Sequence, residues 1–224
     1  MERYINMDDV SDGKLYGLND MVKAGCDDCK GCSACCRGMG NSIVLDPYDV
    51  YRLTIGLNCK FEELLIDKLD LNVVEGIILP NLKMNGPNES CAYLDENGRC
   101  SIHALRPGIC RIFPLGRIYE NGSFQYFLQV NECKKKERTK VKVKKWIDTP
   151  EVARNEAFVN SWHYFLKDLT IKMPTLPEET VKQINMYILN AFFITMYQGN
   201  RDFYEQFEER MQVAKEVLKQ FLDC

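Results

Sequence analysis

The chain is poor in several things that would have pointed to a common function class. It has only 2 histidines and 2 tryptophans among 224 residues. Its N-terminus, MERYINMDDVSDGKLYGLND, has no basic segment leading into an apolar one, so it does not read as a secretory signal. The longest apolar stretches, Ile77–Leu79 and Ala191–Thr195, are far too short to span a bilayer, which excludes a membrane helix. Charge of either sign is not in excess: the net charge is -3 and the pI about 5.6, which argues against a dedicated nucleic-acid binder. Neither a Rossmann pattern nor a glycine-rich loop is present. Internal repeats and low-complexity tracts are absent too. These features suit a cytoplasmic protein of one ordinary domain, or one with a helical appendage, whose apolar content allows a packed core.

What the chain has is cysteine. There are 11, and ten of them lie between Cys26 and Cys133, while residues 134–223 have none. A general liking for cysteine would not produce that partition. In a reducing compartment disulfides are disfavoured and spaced cysteines more often bind metal. The odd total also leaves at least one without an intrachain partner. Cys59, between two helix-like segments, and Cys224, the last residue, read as incidental.

The first group is Cys26-Asp-Asp-Cys29-Lys-Gly-Cys32-Ser-Ala-Cys35-Cys36. Two intervening residues let neighbouring sulfurs converge on one centre, as in zinc knuckles and iron–sulfur loops. The small residues Gly31, Ser33 and Ala34 allow a tight wrap. In extended chain Cys35 and Cys36 would point apart, so each serves a different site or one of them packs. A dispersed second set follows: Cys91, Cys100, Cys110 and Cys133. It lacks a second C-x2-C knuckle, whereas consecutive C-x2-C-x2-C is an iron–sulfur spacing. We therefore favour a four-iron, four-sulfide (4Fe-4S) cluster over zinc. Metal-bound thiolates leave negative charge that needs cationic neighbours, and Arg37, Arg99, Arg106 and Arg111 all flank cysteines.

Around these motifs, Asp46-Pro47 starts a helix running to about Leu57, residues 60–69 form a second, and 72–79 read as one strand. Asn97-Gly98 and Asn121-Gly122 mark hairpins, the first bringing Cys91 and Cys100 together. From residue 148 three amphipathic helices follow, with core faces such as Phe158, Trp162 and Phe165; His163 beside them reads as structural. The expected fold is α+β: an irregular cysteine-rich metal-binding domain of short hairpins and helices (1–147), then a three-helix C-terminal bundle (148–224). Residues 134–145, KKKERTKVKVKK, carry eight basic residues against one acid and suit a lysine-guarded edge strand.

Three blocks resemble a known family: Cys29-Lys-Gly-Cys32-Ser-Ala-Cys35-Cys36-Arg37; Cys91-Ala-Tyr-Leu94 with Gly98-Arg99-Cys100; and Arg106-Pro107-Gly-Ile-Cys110-Arg111-Ile-Phe113-Pro114. Together they look like the CxxCxxCC cysteine-cluster family, YkgJ-type proteins described as zinc- or iron-chelating. The resemblance implies metal ligands among Cys29, Cys32, Cys35, Cys36, Cys91, Cys100, Cys110 and Cys133, with Cys26 a ninth candidate, and Arg106 and Arg111 as residues beside the bound group. Flagellin lysine-N-methylases share the pattern, which implies S-adenosylmethionine as a cofactor and a protein substrate for methylation. A metal-handling or redox-sensing accessory role is the remaining alternative. His103 stands where the family often has Tyr, and reads as structural.

Overall fold

The structure is a computed structural model and describes residues 6–30, 32–135 and 137–222. Gly31, Lys136 and Cys224 lie outside the described residues. The chain opens with α1 (Met7–Val10), β1 (Ser11–Tyr16) and β2 (Met21–Gly25). After the first cysteines come α2 (Pro47–Leu57), α3 (Phe61–Asp67), β3 (Leu69–Val74), β4 (Ile77–Leu82), β5 (Met84–Asn85) and β6 (Ser90–Cys91). Then follow α4 (Gly108–Ile112), β7 (Leu115–Glu120), β8 (Ser123–Gln129), β9 (Thr139–Lys142) and α5 (Val143–Ile147). Three longer helices complete the chain: α6 (Val152–Lys172), α7 (Glu178–Leu189) and α8 (Phe203–Leu222). The architecture is α+β, with small antiparallel sheets and a helical C-terminal part.

Two compact units emerge. One takes in residues 44–83 and 161–222, the other 6–43 and 84–160 among the described residues.

In the first unit, α2 starts as the sequence predicts. The Asp46 carboxylate accepts from Asp49 N at 2.9 Å and Asp49 returns the bond to Asp46 N at 3.3 Å, with Pro47 at the first helical position. The single strand expected over 72–79 is instead a hairpin, β3–β4. Glu75 (φ 52°) and Gly76 (φ 88°) both take positive φ, the requirement of a two-residue turn whose twist matches antiparallel strands. A β-branched run on both sides hid that turn. Asn185 of α7 clamps the hairpin: its Oδ1 accepts from Ile78 N at 2.6 Å and its Nδ2 donates to Gly76 O at 3.0 Å. The core is aromatic. Trp162 of α6 packs on Phe192 at 4.9 Å between ring centroids and on Phe207 of α8 at 6.3 Å. The π-helical turn Asn190–Ile194 that carries Phe192 is held by Arg210, which donates to the carbonyls of Ala191, Thr195 and Met196. His163 is buried in this unit.

The second unit is built on the sheet β1–β8–β7 and the pair β2–β9. The hairpin expected at Asn121-Gly122 is present, with φ of 51° and 78° at its tip. Its core gathers Val22 and Ala24 from β2, Leu115 from β7, Tyr126 and Leu128 from β8, and Val143 and Ile147 from α5. The strands β1 and β2 had no clear sequence signal, because β1 (SDGKLY) is polar and buries only its ends. The lysine-rich segment forms the strand β9 for four residues, then turns helical at Val143.

Replacing Asn185 by Ala would leave the part-buried strand amide of Ile78 without its acceptor, a loss of about 1–3 kcal/mol. Asn185→Ala should lower the urea midpoint of unfolding accordingly; an unchanged midpoint would show that the clamp is dispensable.

Candidate metal centre

The first cysteine group follows directly on β2, and the entry is sterically set. A Cβ at Gly25 would run into Oγ1 of Thr139 on β9, so only glycine lets the two strands approach here. From Cys26 onward the chain proceeds in three-residue turns. Lys30 N donates to Asp27 O at 3.0 Å, Cys32 N to Cys29 O at 3.0 Å, and Cys36 N to Ser33 O at 2.9 Å. A turn of three residues stacks positions i and i+3 on one side. That period equals the spacing of Cys26, Cys29, Cys32 and Cys35. Asp27 (φ 52°) and Cys29 (φ 57°) adopt left-handed conformations to keep the wrap tight.

These four cysteines line one cleft, together with Cys133 from the loop after β8. Phe113 and Pro114 form another wall, and their peptide bond is cis. Gln129 N donates to Pro114 O at 2.9 Å, which places the Cys133 loop beside that wall. Lys135 also lines the cleft and donates from Nζ to Lys30 O at 3.0 Å, joining the two cysteine-bearing loops.

Within the cleft the sulfurs are crowded. Cys26, only 5% exposed, has its Sγ 3.6 Å from that of Cys29. Burial, followed by the neighbouring Cys26 and Cys35, pushes the Cys29 thiol up to about 12, and Arg106 opposes this. The Cys35 thiol is raised further, first by its hydrogen bond with Cys36 and then by burial; Arg106 again opposes. Cys35 and Cys36 belong to a 3-10 turn, Ala34–Cys36, rather than to extended chain. Their sulfurs therefore meet instead of pointing apart as expected.

The remaining candidates lie on the second and third blocks. Cys91 is buried on β6 opposite Met84. Leu94 N donates to Cys91 O at 2.8 Å and Leu94 bridges Cys100, so the expected turn at Asn97-Gly98 forms between the two cysteines. A Cβ on Gly98 would sit 3.7 Å from Ser33 Oγ, so this turn packs on the first cysteine loop. Burial raises the Cys100 thiol, while the Ile102 amide, Arg106 and Arg99 lower it. Cys110 lies on α4 and is half-buried. Cys59 is half-buried near the end of α2, in the other unit.

The two arginines flanking Cys110 have different settings. Arg106 is the common cationic neighbour of Cys29, Cys35 and Cys100. Arg111 is 5% exposed and gives its guanidinium to backbone: Nε to Arg106 O at 3.1 Å, Nη1 to Asp148 O at 2.7 Å, and Nη2 to Ala104 O at 2.5 Å. It thus fixes the loop that carries Arg106. Glu132, Lys134 and the Phe113–Pro114 wall were not singled out by sequence as cleft residues. Their adjacency to cysteine motifs in the chain was the available signal.

Among the described residues, no three His, Cys, Asp or Glu side chains already converge around one ion position. The donor set is nonetheless that of a thiolate metal site. Sulfurs about 2.3 Å from a tetrahedral metal lie about 3.8 Å from each other, close to the Cys26–Cys29 separation of 3.6 Å.

A family model described as "Putative zinc- or iron-chelating domain", CxxCxxCC, matches residues 28–142, just over half of the chain. The chain belongs to the CxxCxxCC family. No curated protein and no solved structure matches it. The match begins after Cys26 and ends in β9, so it takes in the cysteine loops and every other cysteine of the cleft.

Three substitutions test how the site is held. Gly25→Ala should cost about 1–3 kcal/mol by overpacking, and Thr139→Ala in the same chain should recover part of it; absence of recovery in thermal melts would refute the contact. Arg111→Lys cannot satisfy three diverging carbonyls. It should destabilise the chain by about 2–3 kcal/mol, read as a lower urea midpoint.

Proposed function

We propose that the protein binds zinc or iron in this cleft through thiolates drawn from Cys26, Cys29, Cys32, Cys35 and Cys133. The observation that carries the reading is the close pair Cys26–Cys29, spaced like one edge of a tetrahedral thiolate site, in a cleft that three further cysteines line. Rotations of those side chains would complete the coordination. Each thiol that binds would give up its proton to solvent, and the positive charge of the metal would offset the repulsion between thiolates that otherwise disfavours ionisation. Arg106, beside Cys29 and Cys35, would offset the charge of the bound thiolates. Arg111 would hold the Arg106 loop in place. In the cytoplasmic setting expected from the sequence, the thiols would stay reduced and available.

The repeated C-x2-C-x2-C spacing supports a second reading, a 4Fe-4S cluster. Anaerobic purification separates the two: a brown protein with sulfide and iron in equal amounts supports the cluster, and a colourless one with stoichiometric zinc supports the mononuclear site. Cys29, Cys32, Cys35 and Cys133 are only half-buried, and this partial access favours a metal-handling role over a closed structural site. Methyl transfer from S-adenosylmethionine to a protein substrate rests on the family resemblance alone. Calorimetric titration of the metal-loaded chain tests it, and no heat of binding would remove it.

Metal removal should destabilise the protein. With metal held at a thousand times its dissociation constant, loss of about 4 kcal/mol corresponds to a melting temperature lower by about 10 °C. A chelator-treated chain with unchanged circular dichroism and an unchanged melt would overturn the reading.

A further inference from the structure

The segment Cys26-Asp-Asp-Cys29 has the C-x-x-C spacing of dithiols that exchange with disulfides. Cys26 precedes residue 28, where the family match begins, so the family's description does not cover this pair. Asp27 (φ 52°) and Cys29 (φ 57°) curl the chain between them, and the two sulfurs end 3.6 Å apart. A covalent bond needs about 2.05 Å, so the gap must close by about 1.5 Å, within reach of side-chain rotation. The two sulfurs differ in access. Cys29 is half-buried and lines the cleft, whereas Cys26 behind it is only 5% exposed.

We propose that Cys26 and Cys29 form a reversible dithiol–disulfide pair, oxidised by a small-molecule disulfide such as oxidised glutathione. Cys29 attacks one sulfur of the small disulfide. That S–S bond breaks, a mixed disulfide forms on Cys29, and the first glutathione leaves as a thiol with the Cys29 proton. Cys26 then attacks Cys29 Sγ. The mixed bond breaks, the Cys26–Cys29 bond forms, and the second glutathione leaves with the Cys26 proton. Two protein thiols are oxidised and one small disulfide is reduced to two thiols. The raised Cys29 thiol slows the first attack at neutral pH, which places closure at the slow end of thiol–disulfide exchange. In the reducing compartment expected from the sequence, such a bridge is transient, as suits a redox-sensitive pair. Closure also withdraws two of the five cysteines that line the cleft. On the reading that the cleft binds metal, a bound ion and the bridge therefore exclude one another.

Trypsin isolates the pair for a test. Cutting after Lys23 and Lys30 gives the peptide 24–30, which holds Cys26 and Cys29 alone, while Cys32, Cys35 and Cys36 fall in 31–37. The metal-free full chain is equilibrated with set ratios of oxidised to reduced glutathione, alkylated, and mapped by mass spectrometry. Peptide 24–30 is expected two hydrogens lighter and free of alkyl groups, at a lower ratio in the folded chain than in urea. A doubly alkylated peptide, a link to 31–37, or the same ratio folded and unfolded would overturn the proposal. Cys26→Ser should trap glutathione on Cys29, and an unmodified Cys29 in that variant overturns the assigned order of attack. Zinc added first should keep 24–30 reduced. Closure untouched by excess zinc would remove metal from this pair and leave the bridge standing, so the two readings fail separately.

Discussion

Thiolates repel one another, and burial makes each harder to form. The sulfurs of Cys26 and Cys29 lie 3.6 Å apart in a part-buried setting, and the Cys29 thiol is pushed up to about 12. Cys35 is driven the same way by its contact with Cys36. Such a group is stable as neutral thiols or as thiolates around a cation, and unstable as bare thiolates. Most of what surrounds it holds this crowding in place.

Three devices do so. The glycine at position 25 lets β9 close on β2, so the first cysteine loop leaves from a fixed point. The three-residue turns bring every third loop position round to the same side. The buried Arg111 spends its donors on three carbonyls and thereby steadies the Arg106 loop. An arginine in that position acts on the site through another arginine, which is how a residue inside a ligand-like motif can be structural.

Much was legible beforehand where the signal was local. The capping box at Asp46, the turn at Asn121-Gly122 and the amphipathic tail each depend on residues a few positions apart. The Glu75-Gly76 turn was not legible, because its flanks are β-branched and the turn residues gave only one glycine as warning. The strand β1 was hidden for the opposite reason: it is polar and takes its place from pairing with β8. Likewise, nothing in NMYIL announces that Asn185 would cap a hairpin more than a hundred residues earlier.

From the sequence alone came the cysteines, their three-residue spacing, the flanking arginines and the α+β character, because composition and periodicity are properties of the chain. Which cysteines share a cleft was a tertiary matter. Cys133 reaches Cys26 through the β2–β9 pairing, a contact between residues more than a hundred positions apart such as Gly25 and Thr139. Ligand spacing is local, but the meeting of two loops depends on long-range strand pairing, and only the folded chain fixes that.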